Sequence, residues 1–320
     1  MANVNQEIGR AAPYNQQIAL NDTVVRTLFG KASGVISMSD GYGKTYVPYG
    51  TSVSFTTDTT WTVPAGVTSV KIKAWGGGGG NKGQGSGTSA GGGGYITGIL
   101  SVTPGSTLSV FVSNTGGSVA GVTEDCGIPE GMTDISFGGY GAYVYRDTST
   151  YIVSGGGGGS YSVNGGAGGG TNGLPAAATS ISGQGAQGNT GGARATGNPT
   201  NSCNSTTGQN GKNYVAWTNS SSYAQGGEPG AIDACSGTSC ERVGATGGSG
   251  WAGGGGSVYS DGAGGGASSG ATANFTSITN TAGSGGTPGN NGDSDYVAGK
   301  GVGATDVTIL GGAGYIVIRY

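Results

Sequence analysis

The sequence predicts a mainly β protein in three parts: a small N-terminal segment, a β-sandwich-like domain, and a glycine-rich body of packed, extended glycine helices. Three observations carry this. Glycine supplies 76 of 320 residues, about three times its usual share, and only six of these lie in the first fifty positions. Short runs with the two-residue alternation of a strand abut uninterrupted glycine runs. Charged residues make up 9% of the chain, so the glycine-rich part lacks the charge that keeps disordered segments solvated.

Residues 1–50 read as one unit. Asn21-Asp22-Thr23 offers capping side chains to a short helix over Val24–Phe29, and Gly30 ends it. A short apolar run follows, Val35-Ile36, and then turn residues through Gly43.

Residues 51–113 read as β-structure. Val70, Ile72 and Ala74 alternate with Lys71, Lys73 and Trp75, the pattern of a half-buried strand over Val67–Trp75. Trp61-Thr62-Val63 precedes it across the turn residues Pro64-Ala65-Gly66. Strands over Tyr95–Val102 and Leu108–Val112 flank Thr103-Pro104-Gly105-Ser106, which reads as a hairpin connection. A last strand over Gly314–Tyr320 needs a sheet to dock on. It is expected to return to this domain, which is then completed by residues 304–320.

Residues 114–303 form the glycine-rich body. Collagen is excluded, because four-glycine runs such as Gly253–Gly256 break a strict three-residue repeat and proline totals nine. An extended left-handed helix with three residues per turn needs no proline. It makes no internal hydrogen bonds, so its peptide groups need partners on neighbouring chains. Glycine permits that approach because no Cβ intervenes. Gly155–Gly159 would then span about 15 Å at roughly 3.1 Å per residue. Ordering costs about 1–2 kcal/mol per residue, against about 0.5–1.5 kcal/mol net per hydrogen bond. The alternative, a set of flexible linkers, stays open here. Strand and glycine run are coupled repeatedly: Trp75 into Gly76–Gly80, Gly91–Gly94 into Tyr95, Val153-Ser154 into Gly155–Gly159, and Gly311-Gly312-Ala313-Gly314 into Tyr315.

Two segments carry a resemblance. Leu20-Asn21-Asp22-Thr23-Val24-Val25-Arg26-Thr27-Leu28, then Ser33-Gly34-Val35-Ile36-Ser37-Met38-Ser39-Asp40 and Tyr42-Gly43-Lys44, resemble a segment common in tail and fibre proteins of tailed bacteriophages. Gly41 departs from the pattern, which often has an aromatic residue there. The coupled strands and glycine runs resemble the glycine-rich domains of phage tail adhesins, including the distal adhesins of T-even-like phages. That resemblance implies packed polyglycine II helices with receptor-contacting loops between them. It also implies a place in the virion tail after assembly in the host cytoplasm, with other tail proteins and a host surface receptor, protein or polysaccharide, as partners. Phage fibres often trimerise, so a homotrimer is expected.

Residues 1–50 would then be the attachment segment. No N-terminal signal peptide is visible, which suits a particle component released by lysis. The net charge of −3 and the absence of Lys/Arg clusters exclude a nucleic-acid footprint. No apolar run reaches eighteen residues, so no membrane span is expected.

Candidate chemistry is sparse. The chain has no histidine, which removes Ser-His-Asp and Cys-His catalysis and histidine-bearing metal sites. Cys126, Cys203, Cys235 and Cys240 lack zinc spacing. Cys235 with Cys240, or Cys126 with Cys203, could pair in oxidising surroundings. A carboxylate-pair glycosidase would have to draw on Asp125, Glu130, Asp134, Asp293 and Asp295, and nothing places two of them across a groove. Asp293-Ser294-Asp295 could otherwise join a calcium site or be a plain acidic turn. Gly41-Tyr42-Gly43-Lys44-Thr45 fails as a phosphate loop because Met38 stands where its first glycine belongs. No enzyme activity, cofactor or metal is expected.

Recognition is the better-supported chemistry. Glycine-poor islands combine aromatic and small polar residues, the mix that serves adaptable binding loops. Their candidate receptor contacts are Tyr214, Trp217, Asn219, Tyr223 and Phe275. Packing inside the body is the competing role for Tyr214, Trp217 and Phe275. The expected function is therefore a structural tail fibre or tail-tip adhesin. A non-adhesive fibre or decoration protein is the alternative, with a polysaccharide-degrading tailspike behind it.

Overall fold

The computed structural model describes residues 22–23, 25–26, 33–37, 40, 49–81, 87–112, 119–120, 134–147, 149–161, 163–177, 182–187, 189–190, 192–193, 243–257, 262–268, 274–305 and 310–320. The chain divides into two compact units, residues 52–319 and residues 1–51 with Tyr320.

In the smaller unit, Thr23, Val25 and Arg26 are helical, and the Arg26 N–H donates to the Asp22 carbonyl at 2.9 Å. Val25 is buried, and the Arg26 guanidinium donates to the Gly34 carbonyl at 3.0 Å. The Ser37 N–H and hydroxyl both donate to the Asp40 carboxylate, at 2.9 and 3.1 Å. The Arg26 guanidinium contact joins the helical turn to Gly34, and the Ser37 bonds close a local turn between Ser37 and Asp40.

The larger unit is mainly β. Its first sheet has five antiparallel strands: β1 (Ser52–Phe55), β3 (Ser69–Trp75), β4 (Tyr95–Ser101), β11 (Phe275–Thr281) and β12 (Tyr315–Arg319), in the order β1-β12-β3-β4-β11. The second is antiparallel too, in the order β2-β5-β8-β9, from β2 (Thr59–Thr62), β5 (Thr107–Phe111), β8 (Tyr143–Asp147) and β9 (Thr150–Val153). A small mixed sheet, β10-β7-β6, joins β10 (Val243–Ala245), β7 (Asp134–Ser136) and β6 (Val119–Ala120). The chain's last strand inserts between β1 and β3. Strands β8, β9 and β11 come from beyond residue 113. The two large sheets therefore draw on both sides of the 51–113/114–303 division, and 52–319 form one unit.

The alternation in β3 works as its side chains dictate. Val70, Ile72 and Ala74 are fully buried on one face, and Ile316 and Ile318 of β12 sit beside Ala74 and Ile72 in register. From the second sheet, Ile152 of β9 reaches Gly98 of β4, where a Cβ would stand 3.2 Å from the Ile152 Cδ1. β3 is not half-buried as its lysines imply, however. Lys73 and Trp75 on its other face are buried as well, because residues 290–296 fold back over it.

The connection at Thr103–Ser106 also differs from expectation. The turn forms: Ser106 N–H donates to the Thr103 carbonyl at 3.0 Å, and Gly105 sits at φ +80°, as a Pro-Gly type II turn requires. It joins two different sheets and makes no hairpin. β4 pairs with β3 and β11, whereas β5 pairs with β2 and β8. The Val63–Ser106 backbone bond, 2.8 Å, carries the β2–β5 pairing on to this corner.

Candidate functional site

Where the strands end, glycine begins. Trp75 and Tyr95 stand opposite each other across β3 and β4, and Tyr315 opposite Trp75 across β12 and β3. Their rings pack at 4.8 and 5.8 Å from that of Trp75, and Tyr296 joins them at 5.9 Å. A second aromatic group joins Phe111, Tyr143, Tyr145 and Tyr151 of β5, β8 and β9 to Trp251 of a glycine segment. The glycine segments leave from this aromatic seam.

The geometry of those segments is clearest in Gly155–Gly159. The N–H groups of Gly156 and Gly159 donate to Ser249 and Thr246 at 2.7 and 3.1 Å. Those of Gly157 and Ser160 donate to Gly77 and Gly80 at 3.0 and 3.1 Å, and that of Gly158 to Gly166 at 2.8 Å. The carbonyls follow the same rule. Gly155 and Gly158 accept from Gly94 and Gly91, Gly156 and Gly159 from Gly266 and Ala263, and Gly157 from Gly139. Every third residue returns to the same neighbour, whereas a strand returns every second. Six segments thus surround this one, bound mostly through backbone, with the Ser268 hydroxyl accepting from the Gly155 N–H at 2.7 Å.

The same rule governs residues 262–268. Ala263 and Gly266 donate to Gly159 and Gly156, Gly264 and Ala267 to Gly255 and Ala252, and Gly265 to Leu174. Packing at this distance leaves no room for a side chain. A Cβ on Gly157 would lie 1.8 Å from the Gly91 carbonyl oxygen, and one on Gly156 2.0 Å from that of Gly139. Alanine occurs where a methyl has space, as in the buried cluster of Ala186, Ala252 and Ala267.

These registers also sort the two ends of the bundle. The seam end holds the junctions with β3, β4, β8, β9 and β12. At the opposite end, Asn81 pairs with Ser160, Ala263 with Gly159, Thr246 with Ser136, and Ala304 with Gly79. Ala177 bonds to Asn164 there, and Ser257 to Ala245. Asn81, Ala177, Ala193, Ser257 and Thr305 lie toward this end, as do Asp134, Val243 and Gly262.

The predicted contact residues distribute as follows. Tyr214, Trp217, Asn219 and Tyr223 lie outside the described residues, in the stretch between Ala193 and Val243. All four cysteines, Asp125 and Glu130 are likewise outside the described residues. Phe275 opens β11, is 7% exposed, and would touch a Cβ at Gly98 from 3.0 Å. In this chain it packs between strands. Asp134 lies in β7.

Comparison with protein-family models and with curated proteins gave no match.

Asp293 and Asp295 belong to an arrangement that sequence reasoning missed. The Lys73 ammonium donates to Asp293 Oδ1 at 2.6 Å and to Asp295 Oδ2 at 2.7 Å, with side-chain exposures of 8%, 13% and 9%. Arg319 grips both oxygens of Asp295 through its Nε and Nη2. Burial alone would lower the Lys73 pKa, but the two carboxylates outweigh it and raise it. Hydrogen bonding to Arg319, aided by Lys73 and opposed by burial, pulls Asp295 down to about 2. Two cations, Lys73 and Arg319, hold these carboxylates. Among the described residues no group of three metal-ligating side chains occurs, and no helix is long and apolar enough to cross a membrane. The signal for the cluster was present in Lys71/Lys73 on a strand and Asp-Ser-Asp near the C-terminus. A sequence separation of 220 positions between Lys73 and Asp293 hid it.

Proposed function

We propose that this chain is a structural, non-enzymatic adhesin or fibre protein of a tailed-phage virion. Its glycine segments are polyglycine II helices that hold host-contacting loops at one end. The observation that carries this is the three-residue repeat of hydrogen-bond partners around Gly155–Gly159, the repeat of a helix with three residues per turn. Such a bundle is stiff because each peptide group is bonded laterally, and its loops can vary without touching the core.

Ala193 and Val243, the described residues that flank 194–242, lie toward the end of the bundle away from the two large sheets, and in this reading Tyr214, Trp217, Asn219 and Tyr223 supply the aromatic and amide groups of the contact surface. Residues 1–50 attach the chain to other tail proteins, in a trimer, on the strength of their resemblance to fibre segments.

Two experiments test the reading. Host cells are incubated with the full chain and with a variant whose residues 204–240 are replaced by Gly/Ser of equal length. The full chain is expected to bind and the variant to lose binding with its fold intact; equal binding by both rejects the loop assignment. Hydrogen exchange reads the helices: slow exchange across 155–159 and 262–268 supports the bundle, and rapid exchange throughout rejects it.

A further inference from the structure

We propose that Lys73 and Asp293 condense to an amide, a covalent cross-link between β3 and the segment that folds back over it, with Asp295 moving the protons.

The two side chains that would react are already in contact. Lys73 Nζ lies 2.6 Å from Asp293 Oδ1 in a site where both side chains are nearly excluded from water. Positioning of this kind replaces a bimolecular encounter with a unimolecular step. The aromatic rings of Trp75, Tyr95, Tyr315 and Tyr296 close the neighbouring row of the same sheet face, keeping the surroundings apolar.

The two carboxylates divide the roles. Arg319 holds Asp295 through both oxygens as an anion, which makes it a poor electrophile, and its Oδ2 lies 2.7 Å from Lys73 Nζ, within reach for relaying a proton. Asp293, besides Lys73, receives neutral N–H donors. The Asp295 backbone N–H donates to its Oδ1 at 2.9 Å, and Asn290 Nδ2 to its Oδ2 at 3.3 Å. Such donors polarise the carboxyl carbon and stabilise the oxyanion formed when an amine attacks it.

The step balances without any co-reactant. One proton crosses the Lys73–Asp293 contact, giving a neutral amine and a neutral carboxylic acid. The amine lone pair attacks Asp293 Cγ, forming the C–N bond. Asp295 takes a proton from nitrogen and returns it to the departing hydroxyl, the C–O bond breaks, and one water leaves. The ammonium and carboxylate vanish together, leaving Asp295 paired with Arg319. The ionic form dominates the pair at neutral pH, so the reactive tautomer is rare. Because the buried amide does not readily hydrolyse, that rarity costs time and not yield.

Intact mass spectrometry of the reduced full-length protein tests this without any variant. The expected mass is lower than that of the translated sequence by one water, with a branched Lys73–Asp293 peptide in the tandem spectrum after proteolysis. Lys73→Arg and Asp295→Asn should restore the full mass. Asp293→Asn should instead lose one ammonia, which identifies residue 293 as the acyl donor. A full mass for the unaltered protein after prolonged incubation overturns the proposal. So does a deficit that persists in Lys73→Arg or maps elsewhere.

Discussion

The two-sheet core and the glycine bundle adjoin at one aromatic seam and are held by opposite means. In the sheets, Ile72, Ile96, Leu108, Ile152, Ile316 and Ile318 are fully buried, and the apolar area they withdraw from water drives the packing. In the bundle there is almost no side chain to withdraw. Its backbone groups bond to six neighbours around one run, and its cohesion depends on the missing Cβ atoms. The contrast shows that burial and hydrophobicity are separable: Gly155–Gly159 are as buried as Ile72 and contribute no apolar side chain.

The comparison can be broken most sharply with one methyl group. Gly157→Ala places a Cβ 1.8 Å from a backbone oxygen that no rotamer change can move. It should cost about 4 kcal/mol or more, beyond ordinary overpacking, with the loss read by urea denaturation. Removing atoms from the sheets should come next. Ile72→Ala leaves a cavity under β3 and should cost about 3 kcal/mol; a cost under about 1 kcal/mol would mean the sheets do not rest on this row.

The electrostatic contribution is smaller and depends on pH. Asp295 has its pKa lowered to about 2, against about 3.9 for an unperturbed Asp. The clamp's contribution, on the order of 2 kcal/mol, is therefore complete above about pH 4 and is lost as pH falls through about 2. Asp295→Asn should flatten that part of the acid-denaturation profile. The smallest effects separate two kinds of glycine. Gly66 sits at φ +82° with nothing within 4 Å of a Cβ, so Gly66→Ala should cost only about 1 kcal/mol of backbone strain. Gly292, in open space without that constraint, should tolerate alanine within about 0.5 kcal/mol. Equal effects at 66, 157 and 292 in thermal unfolding would refute the argument that close approach sets the bundle's composition.

Much of the β-structure was legible because alternating side chains record which face is buried. Val70, Ile72 and Ala74 marked β3, and Tyr315–Arg319 read as a strand in need of a partner. Turn chemistry was legible at Pro104-Gly105, but a turn says only that the chain reverses. Which sheet receives the next strand depends on the match of β5 to β2, a distant pairing with no local mark. The bundle's registers were illegible for a deeper reason: glycine has no side chain to differ, so Gly158 and Gly265 look alike in sequence while facing different neighbours. The clamp of Lys73 by Asp293 and Asp295 escaped notice because complementary charges far apart in sequence are compatible with many pairings. Phe275 looked like a display residue because it stands among small polar residues; its burial follows from the space above Gly98 on the neighbouring strand β4, which is far away in sequence.

The recurrence of partners at every third position carries a rule about tolerated length changes. Dropping or adding one or two residues within a run would rotate all later amides toward the wrong neighbours. A change of three would restore the phase. Insertions and deletions among natural variants should therefore occur in triplets inside the runs and be unrestricted beyond them. The scaffold acts as a ruler for its own evolution.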